Sequence, residues 1–312
     1  MPHLLILSKH ATNYQSLIQA VNLPDLTMFA TQDVAEAENY ASDCELVFGE
    51  PSLVGQVMEE MPRLRWVQST WAGIEPLLAA CRDRGVILTN VRGVYGPLMS
   101  EYVFGYLLAI ERSILPRWQA QQARVWDESS PGTLQSKLLG LLGVGSIGAY
   151  LARTARAFGM HVYGYTRQSE DCPEVEQYFH AGEKLAFARE LDYLVCTLPG
   201  TAHTRGLVDE EMLKALPAHA WLVNIGRGSS VDEQALVPAL NSGRLAGAVL
   251  DVFQEEPLPY DHPLWSTPNT FVTAHTAARN YPPDIAALFI ENYRRYLKGE
   301  RMIGLVSYEQ GY

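Results

Sequence analysis

The sequence predicts an α/β protein built from two parallel-sheet domains. Three observations predict it. Short apolar runs alternate with helix-patterned segments from Leu4 to Asn90, the alternation resumes at Leu138 after a long apolar helix, and 312 residues are too many for one small core. Hydrophobic residues make up 47% and charged residues 19%, a balance that supports well-packed cores on both sides of that helix.

In the first half, strands are expected near Leu4–Leu7, Leu26–Ala30, Leu46–Phe48, Leu64–Gln68 and Val86–Thr89. The clearest helices between them run from Ser52 to Met61 and from Glu75 to Asp83, stopped by Pro62 and Gly85. The opening Met1-Pro2-His3-Leu4-Leu5-Ile6-Leu7 is too short for a signal segment and has no basic residues before it, so it reads as the first strand. From Leu98 to about Arg112 a helix is apolar nearly all round, which predicts burial between layers or subunits. The stretch from Ile114 to Ser136, with Trp118 and Trp126, reads as a helix leading into an irregular loop. It suits a homodimer contact and intramolecular packing equally well.

The second half opens on Lys137-Leu138-Leu139-Gly140-Leu141-Leu142-Gly143-Val144-Gly145-Ser146-Ile147-Gly148. An apolar strand, a glycine-punctuated turn and a helix to about Phe158 form the cradle of a dinucleotide pyrophosphate. Gly143 allows the turn, Gly145 admits the phosphates and Gly148 lets helix and strand pack closely; the first-turn amides, at Ser146 and Ile147, face the anion. The glycines alone also fit an ordinary βα turn, but the strand His161–Tyr165 completes a βαβ unit. Further strands are expected at Tyr178–His180, Tyr193–Thr197, Trp221–Ile225, Ala248–Val252 and Phe271–Thr273, with helices at Asp209–Leu216 and Glu233–Asn241. The last helix, Asp284–Lys298, is long enough to return to the first domain. The expected division is therefore residues 1–98 with 285–312, and an inserted cofactor domain, 99–284.

Several classes are disfavoured. The net charge of −11 lacks the basic footprint of nucleic-acid or anionic-membrane binding. No apolar segment approaches spanning length. The four cysteines, Cys44, Cys81, Cys172 and Cys196, form no Cys-x-x-Cys pair and read as reduced thiols of a cytoplasmic protein. The histidines show no metal-ligand spacing, so no metal is expected.

Ligands of open α/β sheets bind beyond the carboxyl ends of the strands. Three segments lie just past such ends: Asn224-Ile225-Gly226-Arg227-Gly228, Leu250-Asp251-Val252-Phe253-Gln254-Glu255-Glu256-Pro257-Leu258-Pro259, and Thr273-Ala274-His275-Thr276-Ala277-Ala278. Leu198, Pro199 and Thr204, after an earlier strand, are expected at the cofactor with Ile225 and Gly226. Taken singly, Arg227 also reads as a loop cation, Glu256 as a surface acid and His275 as a core histidine. Their joint occurrence after the glycine turn gives them a common purpose.

These motifs, with the loop Gln68-Ser69-Thr70-Trp71-Ala72-Gly73-Ile74, resemble the D-isomer-specific 2-hydroxyacid dehydrogenase family, and Glu256-Pro257-Leu258-Pro259 and His262-Pro263-Leu264-Trp265 look closest to its glyoxylate/hydroxypyruvate reductase A branch. The resemblance implies two Rossmann-like domains, one flavodoxin-like and one dinucleotide-binding, with an active-site cleft between them. It implies that Arg227 binds the carboxylate of a small 2-oxo acid, that His275 donates a proton and that Glu256 orients His275. Asp251 would face the nicotinamide, and Arg227 and His275 would also border the cofactor. The backbone amides of Trp71, Ala72 and Gly73 would grip the carboxylate.

One departure is informative. NAD-dependent relatives usually carry Asp at the end of the second strand, where this chain has Thr166 followed by Arg167. Loss of the acid and gain of a guanidinium suit a 2′-phosphate and predict a preference for NADPH over NADH, although Arg167 stacked on adenine would not discriminate. The expected activity is reduction of glyoxylate or hydroxypyruvate to a D-2-hydroxy acid. Two alternatives stay open: an NAD-linked dehydrogenase of a larger acid such as 3-phosphoglycerate, and a nucleotide-sensing protein like the corepressors that share these motifs.

Overall fold

The computed structural model describes residues 2–309 and 311. The chain divides into two compact units, Met1–Val94 with Asn280–Tyr312, and Tyr95–Arg279.

The first unit holds five parallel strands, β1 (His3–Leu7), β2 (Thr27–Thr31), β3 (Leu46–Gly49), β4 (Trp66–Ser69) and β5 (Ile87–Thr89), in the order β2-β1-β3-β4-β5. That is the flavodoxin-like order. The apolar N-terminal run is an interior strand, with Leu4 to Leu7 fully buried. Four helices connect the strands: α1 (Ala11–Gln19), α2 (Val34–Ala41), α3 (Pro51–Val57) and α4 (Leu78–Asp83). Asp33 starts α2 by accepting the Glu36 amide at 3.0 Å. The helix expected from Ser52 to Met61 ends at Val57 and tightens to a 3₁₀ turn over Met58–Glu60, because Pro62 disfavours helical backbone at Met61. The helix expected from Glu75 begins only at Leu78, for the same reason at Pro76.

The chain's last helix, α11 (Pro282–Lys298), belongs to this unit. Phe289 stacks on Phe48 and Trp66, with ring centroids 4.7 and 5.5 Å away. Asn292 donates to Gln68 Oε1 at 2.8 Å and to the Ile303 carbonyl at 2.9 Å. Aromatic burial and a satisfied buried amide thus fix the returning segment.

The second unit begins with α5 (Gly96–Glu111) and α6 (Ile114–Gln122). Within the single chain α5 buries one stripe, Ser100, Val103, Phe104 and Leu107, while Leu98 is exposed. Its sheet has seven parallel strands, β6 (Leu138–Leu142), β7 (His161–Tyr165), β8 (Gln177–Phe179), β9 (Tyr193–Cys196), β10 (Trp221–Asn224), β11 (Gly247–Leu250) and β12 (Thr270–Val272). Their order is β12-β11-β10-β9-β6-β7-β8, the doubly wound dinucleotide-binding order. The crossovers include α7 (Ser146–Ala157), α8 (Lys184–Ala188), α9 (Glu210–Ala215) and α10 (Glu233–Asn241). Alternate strand residues feed separate cores: Leu194, Cys196, Leu222 and Leu250 enter one, Tyr193, Val195, Val223 and Val249 the other. Among the described residues, no helix is long and apolar enough to cross a membrane.

Candidate active site

Strand order reverses between β6 and β9, and the predicted motifs of this unit lie along that carboxyl edge. Gly143 leaves β6 at φ +94°, in the region side chains avoid, and donates its amide to the Tyr165 carbonyl at 3.0 Å. A Cβ at Gly148 would sit 2.3 Å from the Gly143 carbonyl oxygen, so only glycine lets α7 pack on the turn. Gly145 is the N-cap of α7, with no side-chain cap, and a Cβ there would meet nothing within 4 Å. Open space before a helix N-terminus fits a dinucleotide pyrophosphate in shape and in electrostatics.

The next loops close on this turn. Thr197 Oγ1 donates to the Gly143 carbonyl at 2.9 Å. Thr204 Oγ1 donates to the Pro199 carbonyl at 2.6 Å and holds the Leu198–Thr204 loop. A Cβ at Gly226 would lie 2.7 Å from the Leu198 carbonyl oxygen, so the loops after β9 and β10 touch there, next to Ile225.

Asn224, 1% exposed at the end of β10, shapes the Gly-Arg-Gly loop. Its Nδ2 donates to the Arg227 carbonyl at 3.0 Å and its Oδ1 accepts the Gly226 amide at 3.2 Å. Arg227 is partly buried and donates from Nη1 to the Gly226 carbonyl at 2.8 Å.

Glu256 and His275 form a pair, with Oε2 2.8 Å from Nδ1. Glu256 Oε1 also accepts the Phe253 amide at 3.0 Å. A carboxylate at Nδ1 assigns that nitrogen its hydrogen and leaves Nε2 for chemistry. Burial alone would raise the Glu256 carboxyl, but the hydrogen bonds from His275 and Phe253 and the charges of His275 and Arg227 hold it below its ordinary range. His275 is raised, first by its hydrogen bond to Glu256; burial and the Arg227 charge oppose the rise.

His275 has φ +54°, uncommon for a side-chain-bearing residue. Asp251 accounts for it. This carboxylate is 1% exposed and accepts from Thr273 Oγ1 at 2.5 Å, the Thr276 amide at 2.7 Å and the Ala277 amide at 3.0 Å. The Asp251 carbonyl accepts the His275 amide at 2.8 Å. Asp251, expected to face the nicotinamide, has both carboxylate oxygens engaged by the turn that presents His275. Tyr102 adds a hydroxyl contact of 2.7 Å to Thr273. Sequence reasoning missed the parts played by Asn224, Thr197, Thr273 and Tyr102; the first three give only the weak signal of an uncharged polar residue at a strand end, and Tyr102, inside α5, gives none.

The remaining predicted residues lie elsewhere. Thr166, just past β7, donates from Oγ1 to the Ser169 carbonyl at 2.7 Å, and Arg167 beside it is exposed. Trp71, Ala72 and Gly73 belong to the first unit. The Trp71 amide donates to Ser69 Oγ at 2.9 Å, so of the three amides expected to grip a carboxylate this one already has an acceptor.

Comparison with known proteins agrees with the geometry. The family model for the D-isomer specific 2-hydroxyacid dehydrogenase NAD binding domain matches residues 104–277. The chain is 31% identical over 284 residues to glyoxylate/hydroxypyruvate reductase A of Salmonella paratyphi B, covering 88% of this chain and 89% of that protein. It is similar in structure to a D-isomer specific 2-hydroxyacid dehydrogenase family protein from Aeromonas salmonicida, with 36% identity, TM-score 0.91, and 98% and 99% of the two chains covered. It is also similar to an NADPH-dependent glyoxylate/hydroxypyruvate reductase from Sinorhizobium meliloti, solved with NADP and sulfate, with 26% identity, TM-score 0.88 and 100% of both chains covered. With a dinucleotide turn, an arginine loop and a carboxylate-paired histidine along one sheet edge, the chain belongs to the D-isomer specific 2-hydroxyacid dehydrogenase family and is an NAD(P)-dependent oxidoreductase.

Proposed function

We propose that this protein is an NADPH-preferring reductase of small 2-oxo acids, with glyoxylate and hydroxypyruvate as the first substrates, and that it forms the D-2-hydroxy acid. The observation that carries the reading is the His275–Glu256 pair, 2.8 Å apart, with the charge of Arg227 acting on both members.

The chemistry follows from those groups. The nicotinamide, when bound, supplies the hydride for the carbonyl carbon. Gly143, Gly145, Ser146, Ile147 and Gly148 would hold the pyrophosphate, with Leu198, Pro199, Thr204, Ile225 and Gly226 along its path. Arg227 binds the substrate carboxylate and draws electron density toward the keto oxygen, because its charge is permanent and its fork planar. His275 gives its Nε2 proton to that oxygen as the carbonyl becomes an alcohol. Glu256 keeps the imidazole charged and oriented until that transfer. The amides of Ala72 and Gly73 are proposed as further donors to the carboxylate.

Thr166 and Arg167 support the cofactor preference, since the first presents no acid to a 2′-phosphate and the second is a cation. The Salmonella and Sinorhizobium relatives, by their names, support the substrate choice. We also propose a homodimer through α6 and the loop after it. No residue of α6 is buried, and Ile114, Leu115, Trp118, Val125 and Trp126 are exposed, Trp126 to 87%. The four cysteines are free and buried, which suits the cytoplasm.

Initial rates of NADPH and NADH oxidation with glyoxylate, hydroxypyruvate, pyruvate and a phenyl-substituted 2-oxo acid test the proposal. Fastest turnover with NADPH and the first two acids is expected. Faster turnover with NADH refutes the preference, and cofactor binding without turnover of any oxo acid moves the sensing role to the front.

A further inference from the structure

The turn after β7 is closed by a side chain from the neighbouring strand. His180 lies one residue past β8, the partner of β7. Its Nε2 is 2.8 Å from Glu170 Oε1, and its Nδ1 is 3.2 Å from the Thr166 carbonyl oxygen and 3.4 Å from Thr166 Oγ1. The Thr166 hydroxyl already donates to the Ser169 carbonyl at 2.7 Å, so toward the ring it offers a lone pair. Both ring nitrogens therefore face acceptors. A neutral imidazole has one N–H and leaves one of these contacts unmade; the imidazolium makes both.

The surroundings favour that charged form. Glu170 and Asp171 lie in the turn, with Asp171 accepting from Ser169 Oγ at 2.9 Å. Glu183, before α8, accepts the His180 amide at 2.8 Å. Arg167 is the cation of the same turn. The histidine is raised above its ordinary value, first by the Glu170 hydrogen bond and then by that to the Thr166 carbonyl.

We propose that His180 is a positioning residue for cofactor selectivity: bridging Glu170 to the Thr166 backbone, it fixes the 166–170 turn so that Arg167 is presented to the 2′-phosphate, and it neutralises a carboxylate that would repel that phosphate. The inference rests on the NADPH reading. Three consequences follow from the bonding. Discrimination for the 2′-phosphate is full while the ring is charged. It declines as pH rises through the His180 titration. The hydride and proton steps at His275 are untouched by it.

The test is calorimetric binding of 2′,5′-ADP (adenosine 2′,5′-bisphosphate) and 5′-AMP, which differ only in the 2′-phosphate, to the unmodified protein and to His180→Asn, from about pH 6 to about pH 9, with the ring titration followed by NMR. The variant controls for ionisation of the probe's own phosphate, which titrates near pH 6. In the unmodified protein the ratio of the two affinities is expected to exceed that of the variant at low pH by about three- to fivefold, the scale of one exposed charge contact, and to converge on it at high pH. The His180 ring is expected to titrate above 6.5, and Glu170→Gln to bring that midpoint down. Ratios that run parallel in the two proteins, or a ring that titrates at or below 6.5, overturn the inference alone. Equal binding of both probes by the unmodified protein at every pH overturns the NADPH preference and the inference with it.

Discussion

The turn past β12 that carries His275 is held by Asp251, a carboxylate 1% exposed, whereas the turn past β7 that carries Arg167 is held through Glu170, whose side chain is 59% exposed. The first accepts two backbone amides and a hydroxyl on one side chain; the second makes one contact to a histidine. Charge-assisted hydrogen bonds away from water are strong and costly to break, and exposed ones are weak and screened. Proton transfer needs a donor fixed in place before the substrate arrives, which suits the role proposed for His275 to the more firmly bonded turn. The role proposed for Arg167, recognition of a peripheral phosphate, places less demand on its turn.

Mutations on each side sharpen the contrast. The largest effect is expected for His275→Ala, which removes the proposed proton donor and should lower kcat for glyoxylate reduction by about 10²- to 10⁴-fold, measured at saturating NADPH. Arg227→Ala comes next, with an expected loss of about 10²-fold or more in kcat/KM, because the substrate carboxylate would lose its proposed charged partner. Asp251→Asn should cost kcat about tenfold and stability about 1–3 kcal/mol, read by urea denaturation, since an amide nitrogen would replace an acceptor facing N–H groups. Glu170→Gln should change stability by no more than about 0.5 kcal/mol in the same assay. Equal losses for these two variants would break the comparison. The smallest change in turnover is expected for Arg167→Ala, which should shift the NADPH to NADH ratio of kcat/KM by about tenfold toward NADH and leave kcat nearly alone.

What the sequence made legible follows the same division. Gly143, Gly145 and Gly148 are readable because steric needs of a tight turn act over six residues, and the strands are readable because buried parallel strands are continuous apolar runs. Arg227, Glu256 and His275 stand out as charged groups just past strand ends. Asp251 was visible as a residue but not as a support, because its partners are backbone amides 25 and 26 positions away that carry no sequence signature. The His180–Glu170 contact depends on β7 lying beside β8, which is a matter of topology. Pro76 carries the signal for the late start of α4, at Leu78, against a helical pattern that extends back to Glu75. The apolar sequence of α5 does not say which of its faces the chain itself covers, since composition reports how apolar a helix is and not what packs on each face.

The pH dependence of kcat/KM for glyoxylate reduction, compared between the unmodified protein and Glu256→Gln, tests the central claim most directly. If, as proposed, reduction consumes the His275 proton, the rate is full below the histidine's titration and falls as pH rises through it, and oxidation of the D-2-hydroxy acid rises over the same range. Because Glu256 holds His275 above its ordinary 6.5, the falling limb should lie above 6.5 and move to lower pH in the variant, with at least about a tenfold loss of rate on the alkaline side. A falling limb at the same pH in both proteins would contradict the assignment of His275 and Glu256 as the acid pair.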